Sequence, residues 1–399
     1  MLDTFYARKD GLLHEAERRE SSARPPKLRH LLSDSSSDSE SSAGPPPSYY
    51  PTLPIEILDF ILQYLQSQND LCNVAISNKH LSDVAMRSLY HTIKIGFAKP
   101  MESVKCLQTL SKNPRLALMV RSFDIHWSNI SYPTRNLYTL AVRALSNTSL
   151  LNTLSIDVPS DFHPWDLSSC TFQLKKFSAS FPCDQSLIQF LEAQPSLLDL
   201  TLRGFNSDPA EFSFNLNTFN LNPNPVPFAL SPEALPRLTR LRAIHAGPDI
   251  ISSILKGRPV TQVSMPLYAD CVCRSLDVLN MSSEPIERLN IISFDPNAPV
   301  YLLDEIADRL PYLEALHIVI LLAQCSEALL EALTPSLKKF KALQYLTYMS
   351  ATSSDDVSQD DEQNIAAMWH TSCPTLKTII LPMGKVWFID NCKWTCLED

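Results

Sequence analysis

The segment SLIQFLEAQPSLLDLTL, residues 186–202, combines two hydrophobic periods on either side of a proline. Before Pro195, apolar residues recur from Leu187 at the spacing of one face of a helix. After the proline, Leu200 and Leu202 alternate with polar residues, as in a strand that buries one face. The segment therefore predicts a helix, a turn and a half-buried β-strand in succession.

The same order of helix, proline and strand recurs in segments 249–265, 301–318 and 362–381. The strand part always contains an L-x-x-L-x-L frame of apolar residues, and most frames are about 22–33 residues apart. Such a frame matches often by chance in a chain that is 45% hydrophobic, so the prediction depends on the helical pattern that precedes most frames. The ten frames begin at Val120, Leu151, Leu174, Leu197, Leu238, Val260, Ile286, Leu313, Leu343 and Leu376.

A repeat of this length is typical of a solenoid, in which each unit buries its apolar face against its neighbours. Leucine-rich repeats are the nearest class, although no frame has the Asn or Cys that such repeats carry three positions later. We therefore predict an irregular, leucine-rich-repeat-like α/β solenoid, or horseshoe, over residues 96–399. Loop insertions are expected near 206–233 and 350–362, and Trp387 and Trp394 are expected to cover the last repeat.

A second pattern precedes the repeats, in LPIEILDFILQYL at residues 53–65. It predicts a helix from Ile55, followed by helices at 70–77, with Asp70 as N-cap, and at 79–89. Three helices in so short a segment form a bundle that is marginally stable without a partner, so we expect a surface that another protein completes. The apolar stripe of the first helix comprises Ile57, Leu58, Ile61, Leu62 and Leu65.

The composition of the 399-residue chain argues against several classes of ligand. Its formal net charge is -9, and its lysines and arginines are scattered, so we do not expect a nucleic acid partner. It has seven glycines and neither a GxGxxG nor a GxxxxGK[ST] motif, which argues against a Gly-rich phosphate loop.

The first fifty residues have the composition of a disordered tail. Residues 33–48, SDSSSDSESSAGPPPS, are rich in Ser, Pro and acidic residues. The charged N-terminus does not resemble a secretory signal, so we expect the protein in the cytoplasm, the nucleus or both. The most apolar run, residues 313–325, is too short to cross a bilayer, and no membrane partner is expected.

The sequence offers no ordered set of metal ligands or catalytic groups. The pairs Cys271/Cys273 and Cys392/Cys396 lack a second pair at zinc-site spacing, and thiols are expected in a reducing compartment. Neither GxSxG nor HExxH occurs, and the His-Pro-Trp-Asp sequence at 163–166 has no partner at a fixed spacing. We therefore expect no catalytic residue, no cofactor and no metal.

Residues 51–95 resemble an F-box. The segment opens with Leu-Pro and an acidic-Ile-Leu helix start, continues with Ile-Leu-x-x-Leu and Asp-Leu, and closes with a Leu-Tyr that leads into a strand. The repeats that follow resemble those of the fungal F-box proteins with leucine-rich repeats. The matching residues are Leu53, Pro54, Glu56, Ile57, Leu58, Ile61, Leu62, Leu65, Asp70, Leu71, Leu89 and Tyr90.

This resemblance implies a substrate-recognition subunit of a cullin-RING (SCF-type) ubiquitin ligase. The F-box would dock on the Skp-family adaptor, the repeats would bind a target protein, and the conjugating enzyme would supply the chemistry. The chain itself would then not be an enzyme. By the resemblance, the adaptor contacts are Leu53, Pro54, Ile57, Leu58, Ile61 and Leu71.

Two other functions remain open at this point. The chain could be a non-catalytic scaffold or inhibitor that uses the helical bundle only as a cap and assembles into no ligase. It could also be an enzyme with an unrecognised site. Binding to a Skp-family adaptor would distinguish the ligase subunit from these two alternatives.

Overall fold

A computed structural model describes residues 53–65, 67–96, 100–127, 135–158, 166–203, 228–353, 359–390 and 393–396. The predicted tail at 1–50 lies outside these residues. So do residues 206–227 of the first predicted loop, 163–165 of the His-Pro-Trp-Asp sequence, and Cys392.

The described chain begins with the three predicted helices, α1 (Ile55–Leu62), α2 (Gln68–Ser77) and α3 (Lys79–His91). The prediction that Asp70 caps α2 is wrong, because the helix starts one turn earlier. Ser67 has extended backbone geometry, and its side chain accepts a hydrogen bond from the Asp70 backbone N–H at 3.4 Å. The connection between α1 and α2 is correspondingly shorter than expected.

All strands after α3 belong to a single sheet in which every strand pairs with its neighbours in sequence. The pairs are parallel from β1 to β11, and β12 and β13 return antiparallel. The strands are β1 (Thr92–Ile95), β2 (Ser122–His126), β3 (Thr153–Asp157), β4 (Lys176–Ala179), β5 (Asp199–Leu202), β6 (Arg240–Ala243), β7 (Gln262–Leu267), β8 (Arg288–Ser293), β9 (Ala315–Cys325), β10 (Tyr345–Ser353), β11 (Thr378–Ile380), β12 (Val386–Asp390) and β13 (Lys393–Cys396).

Helices connect most of the parallel strands, which confirms the mixed α/β class. Their apolar side chains and those of the strands share one continuous core. None of the helices in the described ranges is long and apolar enough to cross a membrane. The connecting helices are α4 (Pro100–Lys112), α5 (Pro114–Ala117), α6 (Arg135–Ser146), α7 (Gln185–Glu192), α8 (Pro248–Leu255), α9 (Val272–Asp277), α10 (Ala298–Arg309), α11 (Glu327–Ala332), α12 (Thr334–Leu337) and α13 (Gln359–Ser372).

The ten predicted frames fall at ten consecutive strands, β2 to β11: the first apolar residue of each frame precedes the strand, and the middle residue lies on it, in register with its neighbours. The middle apolar residue of each frame is at most 2% exposed and pairs with the middle residue of the next frame. The sequence analysis missed one further frame, in which Ile93 of β1 pairs with Phe123. The aligned residues are Phe123, Leu154, Phe177, Leu200, Leu241, Val263, Leu289, Leu316, Leu346 and Ile379.

The second predicted loop, 350–362, is wrong at both ends. β10 continues to Ser353 because β9 is equally extended, and Ser353 pairs with Cys325. Helix α13 then begins at Gln359. The acidic residues of this segment therefore belong partly to a helix.

The antiparallel strands β12 and β13 lie beyond the last parallel strand, β11. They carry Trp387 and Trp394, the two residues that were expected to cover the last repeat. Trp387 and Trp394 are 1% and 6% exposed. The indole Nε1 of Trp387 donates a hydrogen bond to Glu362 Oε2 at 3.0 Å, and the Met383 backbone N–H donates to Glu362 Oε1 at 2.9 Å. Glu362 thus ties α13 to the end of the sheet.

Candidate partner-binding site

Helix α1 has two apolar faces, and among the residues that the structure describes only one of them is packed. Leu62 joins Leu71, Val84 and Ala85 in a small core that is separate from the core of the sheet. Leu58 packs against this core and is half-buried. Burial of apolar side chains is the main force that holds such a bundle together, and here it involves few residues.

Leu71, one of the six predicted adaptor contacts, has little surface available to a partner. Leu71 is 7% exposed and belongs to the core of the bundle, because α2 turns it towards Leu62. Leu58 is available only in part. The other four predicted residues, Leu53, Pro54, Ile57 and Ile61, are exposed.

The second face of α1 is wider than the sequence analysis predicted. Phe60 is 57% exposed and Tyr64 is 71% exposed, and their rings meet edge to face with centroids 5.2 Å apart. The sequence could have indicated Phe60 and Tyr64, because residues 57, 60, 61 and 64 follow the i, i+3, i+4, i+7 spacing of one helix face. We call this face the α1 apolar surface; it comprises Ile57, Phe60, Ile61 and Tyr64, and the exposed Leu53 and Ile55 precede it in the chain.

The α1 apolar surface is held in place by polar contacts behind it. Arg87 of α3 forms an ion pair with Asp59 of α1, with Nη1 and Oδ2 3.4 Å apart. The Pro54 carbonyl accepts hydrogen bonds from the backbone N–H groups of Ile57 and Leu58 at 3.0 and 3.2 Å. These contacts fix the first turn of α1 with its apolar side chains directed outwards.

The bundle continues directly into the sheet. Helix α3 ends at His91 and β1 starts at Thr92, so Ile93 and Ile95 already belong to the large core. Arg115 of α5 also pairs with Asp83 of α3 at 3.2 Å. The three helices and the sheet accordingly form one compact unit, which starts at Leu53.

The structure brings together no metal site among the residues that it describes. Within those ranges no three or more His, Cys, Asp or Glu side chains are placed to hold a metal ion. His317 lies on β9 between Asn290 and Thr347 of the neighbouring strands, and burial lowers the pKa of its imidazole. His80 and His91 are exposed on α3.

The comparison with protein families bears on the same part of the chain. A family model described as F-box-like matches residues 50–95. This range includes α1, α2, α3 and β1, and therefore the whole α1 apolar surface. No curated protein matches the chain. The chain thus carries an F-box-like domain, a module that in general binds Skp-family adaptors of cullin-RING ligases.

Proposed function

We propose that the protein is a substrate-recognition subunit of a cullin-RING (SCF-type) ubiquitin ligase. The α1 apolar surface docks on a Skp-family adaptor, and the sheet binds a target protein in the cytoplasm or nucleus. The observation that carries the proposal is that the F-box-like domain exposes an apolar helix face that its own small core leaves uncovered.

An exposed apolar face of this kind indicates a partner. Isolated apolar side chains are common on protein surfaces, but four exposed ones at the spacing of one helix face, residues 57, 60, 61 and 64, are a recognised sign of an interface. Burial of apolar area contributes roughly 25 cal/mol per Å², so these side chains supply a substantial share of the free energy of docking. The aromatic pair Phe60 and Tyr64 is of the type that dominates such interfaces.

The sheet supports the second half of the proposal. Its strands follow one another in sequence order, and each frame buries its apolar residues against those of the neighbouring strands. We infer that this is an irregular leucine-rich-repeat-like solenoid, which would present a long polar face to a target protein. A rigid connection between docking site and target-binding face would serve the ligase, because the receptor contributes by positioning the target rather than by chemistry.

The test is co-expression of the full chain with a Skp-family adaptor, followed by measurement of the dissociation constant. We expect a stable complex, and we expect the double substitution Ile57→Ala/Ile61→Ala to weaken it by about 1 kcal/mol or more, on the scale of interface hot spots. The substitution should leave folding intact, because both side chains are nearly half-exposed.

A matched control removes two exposed isoleucines outside the F-box-like domain. Ile244 and Ile389 are 41% and 38% exposed, and Ile244→Ala/Ile389→Ala should leave the affinity for the adaptor unchanged. A wild-type chain that stays unbound beside excess adaptor would contradict the proposal. So would equal losses in the two double variants.

A further inference from the structure

The sheet gathers positive charge that is dispersed in the sequence. Lys176 of β4 and Arg240 of β6 flank Asp199 of β5 in one pairing row, and the row continues through Gln262 to Arg288 of β8. These residues alternate with the buried residues of the frames, so they face away from the core. The arginine patch consists of Lys176, Arg240, Arg242 and Arg288, all exposed.

The dimensions of the arginine patch follow from sheet geometry. Neighbouring strands are about 4.8 Å apart, so the row from Lys176 to Arg288 crosses about 19 Å. Arg242 lies two residues from Arg240 on the same strand, about 6.6 Å further along. The patch can therefore contact a segment of about six extended residues that crosses the strands.

Little negative charge compensates these cations. Asp199 is the only carboxylate in this row and in the adjacent outward row from Ser178 to Asn290, and it is 7% exposed. Its Oδ2 lies 3.6 Å from Nη2 of Arg242. The other outward positions within the two rows are neutral and polar: Ser178, Thr201, Gln262, Ser264 and Asn290.

Two exposed or partly exposed arginines elsewhere in the described chain have carboxylate partners. Arg274 pairs with Asp249 on a neighbouring helix, and Arg309 of α10 pairs with Asp277 of α9. Neither Arg240 nor Arg288 has a carboxylate partner among the described residues. Within the described residues, Arg240 and Arg288 therefore lie on one face of the sheet without a carboxylate partner, although the net charge of the chain is -9.

We infer that the arginine patch binds a short acidic segment of a partner protein. Guanidinium groups recognise carboxylates and phosphates in paired hydrogen bonds, and the neutral polar side chains between them offer further hydrogen bonds. If the proposed function holds, that partner is the target of the ligase, and the inference names its class.

The surroundings of the patch favour a short acidic peptide over a nucleic acid. On the same outward face, Asp124 of β2 lies opposite Lys94 of β1, and Asp157 of β3 pairs with His126 at 3.0 Å. Strands β2 and β3 therefore do not extend the patch with unpaired cations for a longer polyanion. On the other side β9 continues the row with the uncharged Ala315. A protein with a net charge of -9 also lacks the long-range attraction that nucleic acid binding requires.

The experiment uses the full chain and a fluorescein-labelled peptide of alternating Asp and Ser, with binding followed by fluorescence anisotropy. We expect binding that weakens as salt is raised, and a loss of about fivefold in affinity for Arg240→Ala/Arg288→Ala. The matched control Lys105→Ala/Arg143→Ala removes two exposed cations from helices α4 and α6 and should change the affinity less than about twofold. The conservative variant Arg240→Lys/Arg288→Lys should restore part of the loss.

Three results would overturn the inference. They are equal binding of a peptide with Asn in place of Asp, equal losses in the patch and control variants, and tighter binding of single-stranded DNA of the same charge. Adaptor binding is measured on the same preparations. A patch variant that keeps the adaptor complex but loses the peptide, or a chain that binds the peptide but not the adaptor, separates this inference from the proposed function.

Discussion

The two ends of the sheet treat their aromatic residues in opposite ways. At the C-terminal end, Trp387 and Trp394 lie on the antiparallel strands β12 and β13 and are 1% and 6% exposed. At the N-terminal end, Phe60 and Tyr64 of the F-box-like domain are 57% and 71% exposed. The chain can therefore close an end of its sheet with its own aromatic side chains, and the exposed pair is best explained by a partner that covers it.

The largest effect is expected at the closed end. Trp387→Ala should lower the free energy of unfolding by about 4 kcal/mol, because it empties a fully buried aromatic site and removes a donor from Glu362. Urea denaturation followed by fluorescence measures the change. A loss below about 1 kcal/mol would mean that the two ends do not differ in packing, and the comparison would fail.

A core substitution in the F-box-like domain should lower the free energy of unfolding less than Trp387→Ala, and it should affect mainly the three helices. Leu62→Ala removes the one buried side chain of α1 from a core of four buried residues, and we expect the free energy of unfolding to fall by about 2 kcal/mol. Hydrogen exchange should show faster exchange in 55–91, with β2 to β11 still protected, because the two cores are separate. Equal deprotection of the sheet would show that the bundle and the sheet unfold as one.

The sequence predicted the ten strands from β2 to β11 by their apolar frames, but it missed the frame on β1 and did not predict β12 and β13 as strands. A one-residue shift would exchange the buried and exposed sets of a strand, so the apolar frames determine which residues pair, as with Leu200 and Leu241. The ends of elements were less predictable. The extension of β10 to Ser353 depends on pairing with β9, which a local pattern does not reveal.

The candidate site was predicted in part. Pattern and resemblance together indicated Leu53, Pro54, Ile57 and Ile61, but α1 is apolar on two faces, and the sequence did not show which one the bundle uses. Leu71 was included through the resemblance alone, and its burial in the bundle depends on how α2 packs against α1, which the sequence pattern does not show. The arginine patch was missed altogether, because net charge carries no information about which cations the sheet aligns on one face.

Glu362 of α13 accepts the hydrogen bonds that join this helix to the C-terminal end of the sheet, and its titration should affect stability. Burial raises the pKa of the Glu362 carboxyl above its ordinary value of 4.5, and the hydrogen bonds from Met383 and Trp387 oppose this in part. The folded state therefore holds this proton more tightly than the unfolded state. The contribution of the protonated Glu362 carboxyl to stability is present below pH 4.5 and is lost as pH rises through the raised pKa of the folded state.

The variant Glu362→Gln makes this measurable. At acid pH it should cost about 1 kcal/mol, because the Gln amide nitrogen cannot accept one of the two hydrogen bonds that the Glu362 carboxyl oxygens accept from Met383 and Trp387. The cost should shrink as pH rises, since only the wild type ionises a buried group. Urea denaturation at several pH values measures it, with the exposed Glu331→Gln as baseline. A cost that grows with pH would contradict the assignment.

The smallest effect on stability is expected from Phe60→Ala, the counterpart of Trp387→Ala at the open end. Phe60 is 57% exposed and lies outside the core of the bundle, so the free energy of unfolding should change by no more than about 0.5 kcal/mol. Affinity for the Skp-family adaptor should nevertheless fall by about 1 kcal/mol or more, because the ring becomes buried only in the complex. A variant that loses stability but binds the adaptor like the wild type would show that Phe60 serves the fold of the bundle, and the contrast between the two ends would then reflect packing rather than a partner.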